Sequence, residues 1–231
     1  MKDTNETPLK LTAKEFGIIF AIICILIFNV TDFDEKDIPN LPKSVYKEPY
    51  QVNIPREEQE TFIHELKNGY AEVTKLAEYK IYGRIYETRR VLAKISTAGY
   101  AVTHDLSIGC GELVKKQNFN AINTTQVQGS AGRIVYWSSY NTRRFTIPFE
   151  EARVSFTNNH VFPANDRIAK QLDKLTRRDL VYMEGYLIKA DVVAGGKNEH
   201  IYSSMTRTDE TGTTCETIYV TKLITKRGTF E

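Results

Sequence analysis

The sequence predicts an α+β protein, mostly antiparallel β, with an OB-like or other small barrel in its second half, behind one N-terminal transmembrane helix. Three observations carry that expectation. The 13 Tyr and 11 Phe favour strands, because aromatic side chains suit a pleated, half-buried surface. Short stretches of strand pattern recur after Tyr70, punctuated by glycine and asparagine turns and interrupted by one good helix. An uncharged apolar run, FGIIFAIICILIFNV, fills residues 16–30.

The apolar run alone spans about 22 Å as a helix, short of the ~30 Å hydrocarbon core. Thr12-Ala13-Lys14-Glu15 before it has the form of a capping box, which lengthens the span by a turn. The expected anchor is therefore residues 12–30, with residues 1–11 a cytoplasmic tail. A cleaved signal peptide is disfavoured because Phe28-Asn29-Val30 offers no small-residue cleavage site. A lipoprotein signal is disfavoured because Ile23 precedes Cys24. A buried core helix fits poorly with the acidic, proline-containing stretch that follows. Lys2, Lys10 and Lys14 precede the span, and Lys36, Lys43 and Lys47 follow it at a greater distance. That bias places the N-terminus inside and the domain outside the cytoplasm, at the inner membrane.

Residues 31–55 hold four prolines and many charges, and read as a linker. The remainder, residues 56–231, is one β-rich globular domain. Its elements follow in order. Residues 57–68 predict a short helix ending at Gly69, with Phe62 and Leu66 one turn apart. Residues 79–90 predict a strand with Tyr79, Ile81 and Ile85 on one face, where Gly83 marks a bulge or a close backbone approach. Residues 111–118 predict a helical turn. Residues 133–140 and 144–148 predict two strands joined across Asn141-Thr142. Residues 164–175 predict a helix capped by Asn165 or Asp166, with Ile168, Leu172 and Leu175 on one face. Three strands are expected at residues 180–193, 199–208 and 215–225, with Gly195-Gly196 and residues 209–212 as turns.

Composition narrows the function classes. Apolar residues make up 41% and charged residues 26%, as in an ordinary globular domain. The net charge of +2 supplies no basic field and argues against a nucleic-acid partner. The pairs Arg89-Arg90, Arg143-Arg144 and Arg177-Arg178 lie apart and read as solvated faces. No CxxC occurs among the three cysteines, and His64, His104 and His200 have no ligand-like spacing, so no metal or cofactor is expected.

The stretch SSMTRTDETGTTCETIYV, residues 203–220, is the most distinctive in the chain. With three other places it resembles an uncharacterised family of bacterial single-pass envelope proteins. That family carries a Ser-Ser-x-x-Arg-x-Asp stretch with Cys-Glu six residues beyond the Asp. The matching residues are Ser203, Ser204, Arg207, Asp209, Cys215 and Glu216. Asn158, His160 and Pro163 match an Asn-x-His-x-x-Pro motif. Asp105, Leu106, Gly109 and Gly111 match an Asp-Leu-x-x-Gly-x-Gly motif, and Glu184-Gly185-Tyr186-Leu187 matches a further tract. Cys110 stands where the family often has Trp. The resemblance implies an N-terminal anchor and an envelope location, and it brings no activity.

Chemistry has few carriers. Arg207 with Asp209 or Glu216 reads first as a charged pair locking a hairpin. The sharper reading makes Asp209 and Glu216 an acid and a base at a barrel rim. His160 reads as a hydrogen-bonded turn histidine before a catalyst. Gly109-Cys110-Gly111 signals a tight turn, and nothing in the sequence names a base for Cys110. The leading expectation is an envelope-anchored binding or assembly module, with other envelope proteins as partners. The alternatives are a hydrolase using Asp209, Glu216 and His160, and an OB-type binder of nucleic acid or oligosaccharide that stacks ligand on Tyr136 and Trp137.

Overall fold

The computed structural model describes residues 38, 40–93, 96–129, 132–206 and 215–231. The expected anchor at 12–30, Arg207 and Asp209 lie outside them, as do the side chains of Tyr136 and Trp137. No helix among the described residues is long and apolar enough to cross a membrane.

The organising strand is β3, Gly69–Arg90. Its middle is rich in Ile and Tyr, and residues 81–86 are buried on both sides, as a central strand requires. Along residues 69–84 it pairs antiparallel with β8, Leu180–Ala194. Along residues 84–90 it pairs antiparallel with β4, His104–Gly109. From β4 the pairing passes antiparallel to β7, Phe156–Pro163, then parallel to β10, Glu216–Thr225. β10 returns antiparallel to β8. The hydrogen-bonded path β3–β4–β7–β10–β8 thus comes back to β3.

One face of these strands carries Tyr79, Ile81 and Ile85 of β3, Leu106 and Ile108 of β4, Val161 of β7, Met183 and Leu187 of β8, and Ile218 and Val220 of β10. The helix α3, Asp166–Leu172, adds Ile168 and Leu172 to that cluster, followed by Leu175. The Asn165 side chain caps α3 by accepting from the Ile168 amide at 3.0 Å, as the sequence predicts. On the opposite face lies a second apolar layer that includes Val73, Phe162, Val192 and Tyr219. The strands β2, Thr61–Leu66, and β9, Lys197–Tyr202, extend the sheet beside it. A short C-terminal strand, β11 (Gly228–Phe230), pairs with β10. Between β4 and β7 the chain makes the single-turn helix α1, Lys116–Phe119, and the hairpin β5–β6 (Ile122–Gly129 and Gly132–Tyr140), whose two strands form a sheet of their own. The helix α2, Phe149–Val154, then leads into β7.

Four sequence expectations need correction. The strand expected at residues 199–208 is β9, which ends at Tyr202, and residues 203–206 lie in no strand. Residues 57–68 form no α-helix: a 3-10 turn at Arg56–Glu58 is followed by β2, which pairs with the start of β3 through a two-residue turn. Residues 144–148 are not a strand. The Asn141 side chain accepts from the Arg143 amide at 3.1 Å and closes a 3-10 turn at Thr142–Arg144, and the partner of β6 is β5. The stretch read as linker contributes packed structure. A 3-10 turn at Lys43–Tyr46 buries Val45 against Tyr82, and β1, Tyr50–Asn53, pairs with residues 77–80 of β3.

Candidate functional site

Strand alternation sorts the side chains of β4 and β7 into two sets. Leu106, Ile108 and Val161 enter the inner core. Asp105, Ser107, Asn158 and His160 take the other face. The antiparallel register sets Asp105 opposite His160 and Ser107 opposite Asn158. On the far side of β7, the parallel register sets Thr217 opposite His160 and Glu216 opposite Asn159. Carried one residue back, it brings Cys215 level with Asn158.

These rungs create a chain of three groups. His160 Nδ1 lies 2.6 Å from Asp105 Oδ1, and the Cys215 side chain is near enough to the imidazole to favour its charged form. The His160 and Asp105 side chains are 22% and 19% exposed, enough for a ligand to reach them while most of their surface is dry. Burial opposes a charge on His160, but Asp105 and Cys215 outweigh it and push the imidazole up to about 10. Cys215 is half-buried and Cys110 fully buried, and neither is in a disulfide.

The surroundings hold these groups in place. Ser107 Oγ donates to Asn158 Oδ1 at 2.6 Å. Beneath them, Asn159 Nδ2 donates to the Leu106 carbonyl at 3.2 Å and to Thr157 Oγ1 at 2.8 Å. The Cys215 carbonyl accepts from the Ser204 amide at 3.1 Å, and Ser203 Oγ accepts from the Thr217 amide at 3.0 Å. The buried Thr217 hydroxyl, beside His160, has no hydrogen-bond partner among the described residues. One rung further, Phe162 stands opposite Tyr219, whose hydroxyl meets His64 Nδ1 at 3.0 Å. That rung forms an apolar wall.

The structure therefore draws together Asp105, Asn158, His160, Ser203, Ser204 and Cys215, which the sequence offers as separate motifs. It does not bring Glu216 to His160. Alternation along β10 puts Glu216 on the side of Ile218 and Val220, and it is buried. Cys110 precedes the 3-10 turn Gly111–Val114, and its amide donates to the Ser155 carbonyl at 2.8 Å. Gly111 has φ +55°, and a Cβ on Gly109 would collide with the Tyr86 ring, so the tight-turn reading of this motif holds. Pro163 ends β7. Elsewhere His104 Nε2 and Arg90 Nη1 each lie 3.2 Å from Asp173 Oδ1. They line a cleft of about 440 Å³ together with Leu172 and Leu175. His200 pairs with Asp191 on the surface. No group of three His, Cys, Asp or Glu among the described residues could hold a metal ion.

Sequence reasoning did not connect Cys215 with His160, because His160 lies on another strand 55 residues upstream and Asp105 on a third. A thiol beside an imidazole that a carboxylate holds supplies a nucleophile, the group that activates it and the group that orients the imidazole. No family model, curated protein or solved structure matches the chain.

Proposed function

We propose that the chain is a membrane-tethered enzyme that uses Cys215 as a nucleophile on the outer face of an OB-type barrel. The observation that carries the reading is the grouping of Cys215 beside an imidazole, His160, that Asp105 holds by a 2.6 Å hydrogen bond. The barrel reading is supported by the strand path that returns to β3, by its one parallel pair, and by α3 lying between β7 and β8. In such a barrel the second and third strands form the ligand face. Counted along this path those strands are β4 and β7, which carry Asp105 and His160. The tether rests on the uncharged run at residues 16–30, and the lysine bias supports a domain outside the cytoplasm. The resemblance to envelope proteins supports the same location.

His160 stands as the imidazolium beside the Cys215 sulfur and favours its thiolate form, and Asp105 holds the ring in orientation and stabilises its charge. The test is alkylation of the full-length chain in detergent with iodoacetamide at pH 6.5, with each modified cysteine located by peptide mass. Cys215 reacts well ahead of buried Cys110. His160→Ala slows Cys215 alkylation by about tenfold or more, and Asp105→Asn slows it less. If Cys215 reacts equally fast in the parent and in both variants, the nucleophile reading fails. A non-catalytic envelope binding module then stands in its place.

A further inference from the structure

The two described cysteines occupy opposite sides of the sheet. Cys110 is fully buried and belongs to the inner core with Leu106 and Ile108. Cys215 is half-buried just before β10 begins, where its carbonyl accepts from the Ser204 amide at 3.1 Å. Thr217, two residues on and therefore on the same face, stands opposite His160 in the parallel register. That is the outer face, on which Asp105 holds the imidazole at 2.6 Å. The His160 and Asp105 side chains are partly open to solvent. A small molecule thus reaches the group from outside, while the Cys110 sulfur is walled off beneath the sheet.

We infer that Cys215 is a thiolation site, which reacts with a small disulfide and is left as a mixed disulfide that switches the nucleophile off. The inference rests on the nucleophilic role of Cys215 and names its regulation. The Cys215 thiolate bonds to one sulfur of the small disulfide as the S–S bond breaks. One half of that molecule stays on Cys215, which is oxidised to the mixed disulfide. The other half is reduced, leaves as a thiolate and takes the His160 proton, while Asp105 keeps its place on the ring. Exchange of this kind needs a thiolate and an open path to it. The half-buried sulfur and its charged neighbour supply both. A mixed disulfide is cleared when a second thiol attacks it. Among the described residues the one other cysteine is Cys110, so the adduct persists until a thiol from outside removes it. The proposed position outside the cytoplasm is one where disulfides endure. An ordinary thiol is only about 1% thiolate at pH 6.5. Full ionisation raises that fraction about 100-fold, and the weaker nucleophilicity of an acidic thiolate gives back roughly tenfold. The imidazolium is therefore worth about tenfold in rate.

The full-length chain in detergent, reduced and then freed of reductant, is incubated with oxidised glutathione at pH 6.5, and peptide mass under non-reducing conditions locates the adduct. The parent takes a glutathionyl group on Cys215 well ahead of Cys110, loses its iodoacetamide reaction at Cys215, and regains it with dithiothreitol. His160→Ala forms the adduct about tenfold more slowly. Asp105→Asn, the milder change, slows it less, and thermal melting confirms that each variant is folded. Three outcomes overturn the inference: a parent that alkylates fast at Cys215 yet takes no glutathionyl group, an adduct that gives way to a disulfide within the chain, or thiolation at the parent rate in both variants while their alkylation is slowed. None of these touches the nucleophile reading, which falls only if alkylation of Cys215 ignores His160 and Asp105.

Discussion

His104 and His160 sit on adjacent strands and are both largely buried, yet their imidazoles are displaced in opposite directions. Burial dominates at His104 and lowers its proton affinity, with Arg90 adding to that and Asp173 opposing it. At His160 burial is outweighed by Asp105 and Cys215, and the value rises to about 10. The stability consequences have opposite sign. The His160 contribution is complete below about pH 6.5, where the ring is charged folded and unfolded alike, and it fades as pH climbs toward 10. The His104 contribution is present above about pH 6.5 and is lost as pH falls through its lowered folded value. Urea unfolding of His160→Gln should therefore converge on the parent between pH 7 and pH 10, by roughly 2–3 kcal/mol. His104→Gln should converge on the parent as pH falls below about 6.5. A gap that stays constant with pH for either variant would show that the ring does not titrate with folding. At this scale the sequence offered Asp105, His160 and Cys215 as residues of three separate motifs, read Asp209 and Glu216 first as partners of Arg207, and gave acid–base work to Asp209, Glu216 and His160 only as an alternative. Spacing alone reports nothing about which residues meet across strands, and Glu216 differs from Cys215 only by the face it takes.

Among the elements, β8 shows why one position admits no side chain. A Cβ on Gly185 would run into the Tyr219 carbonyl of β10, a backbone atom that cannot move aside. The tract Glu184-Gly185-Tyr186-Leu187 thus has a physical reason for its glycine. Gly185→Ala should lower stability by about 3 kcal/mol or more, because the ladder between β8 and β10 must separate. Melting within about 2 °C of the parent would contradict that packing. Gly83 has the same character: its Cβ would meet the Ile108 side chain and the Gly109 carbonyl of β4, the close approach that the strand pattern anticipates. The helix expected at residues 57–68 failed for a different reason. Phe62 and Leu66 are four residues apart, a spacing that satisfies a helical face and an alternating strand equally. Pairing of residues 61–66 with residues 69–74 decided the matter, and Asn68-Gly69 was the hairpin signal that should have been weighed against the helix.

At the scale of the whole molecule, strand content and the interposed helix were legible, because alternation and capping are local. The order of pairing was not, because the parallel contact between β7 and β10 joins residues 159 and 216 through no local signal. Stability should follow the pairing. Amide exchange should be slowest along β3 and β8, which share fifteen paired positions from Gly69–Ala194 to Arg84–Leu180, and fastest in β5 and β6, which pair only with each other. Equal protection in the two places would contradict this ranking. For the proposed tether, an alkaline carbonate wash should leave the full-length chain in the membrane fraction. Its recovery in the wash would remove the anchor, and a shortened chain there would mean cleavage. The parallel pair has one more consequence, and it concerns synthesis. Asp105 and His160 are made well before Cys215, which arrives just ahead of β10. A nascent or truncated chain that ends before residue 215 holds the acid and the imidazole with no sulfur beside them. The grouping is therefore incomplete until β10 has been made and has docked beside β7, so the order of synthesis sets when the three side chains can meet.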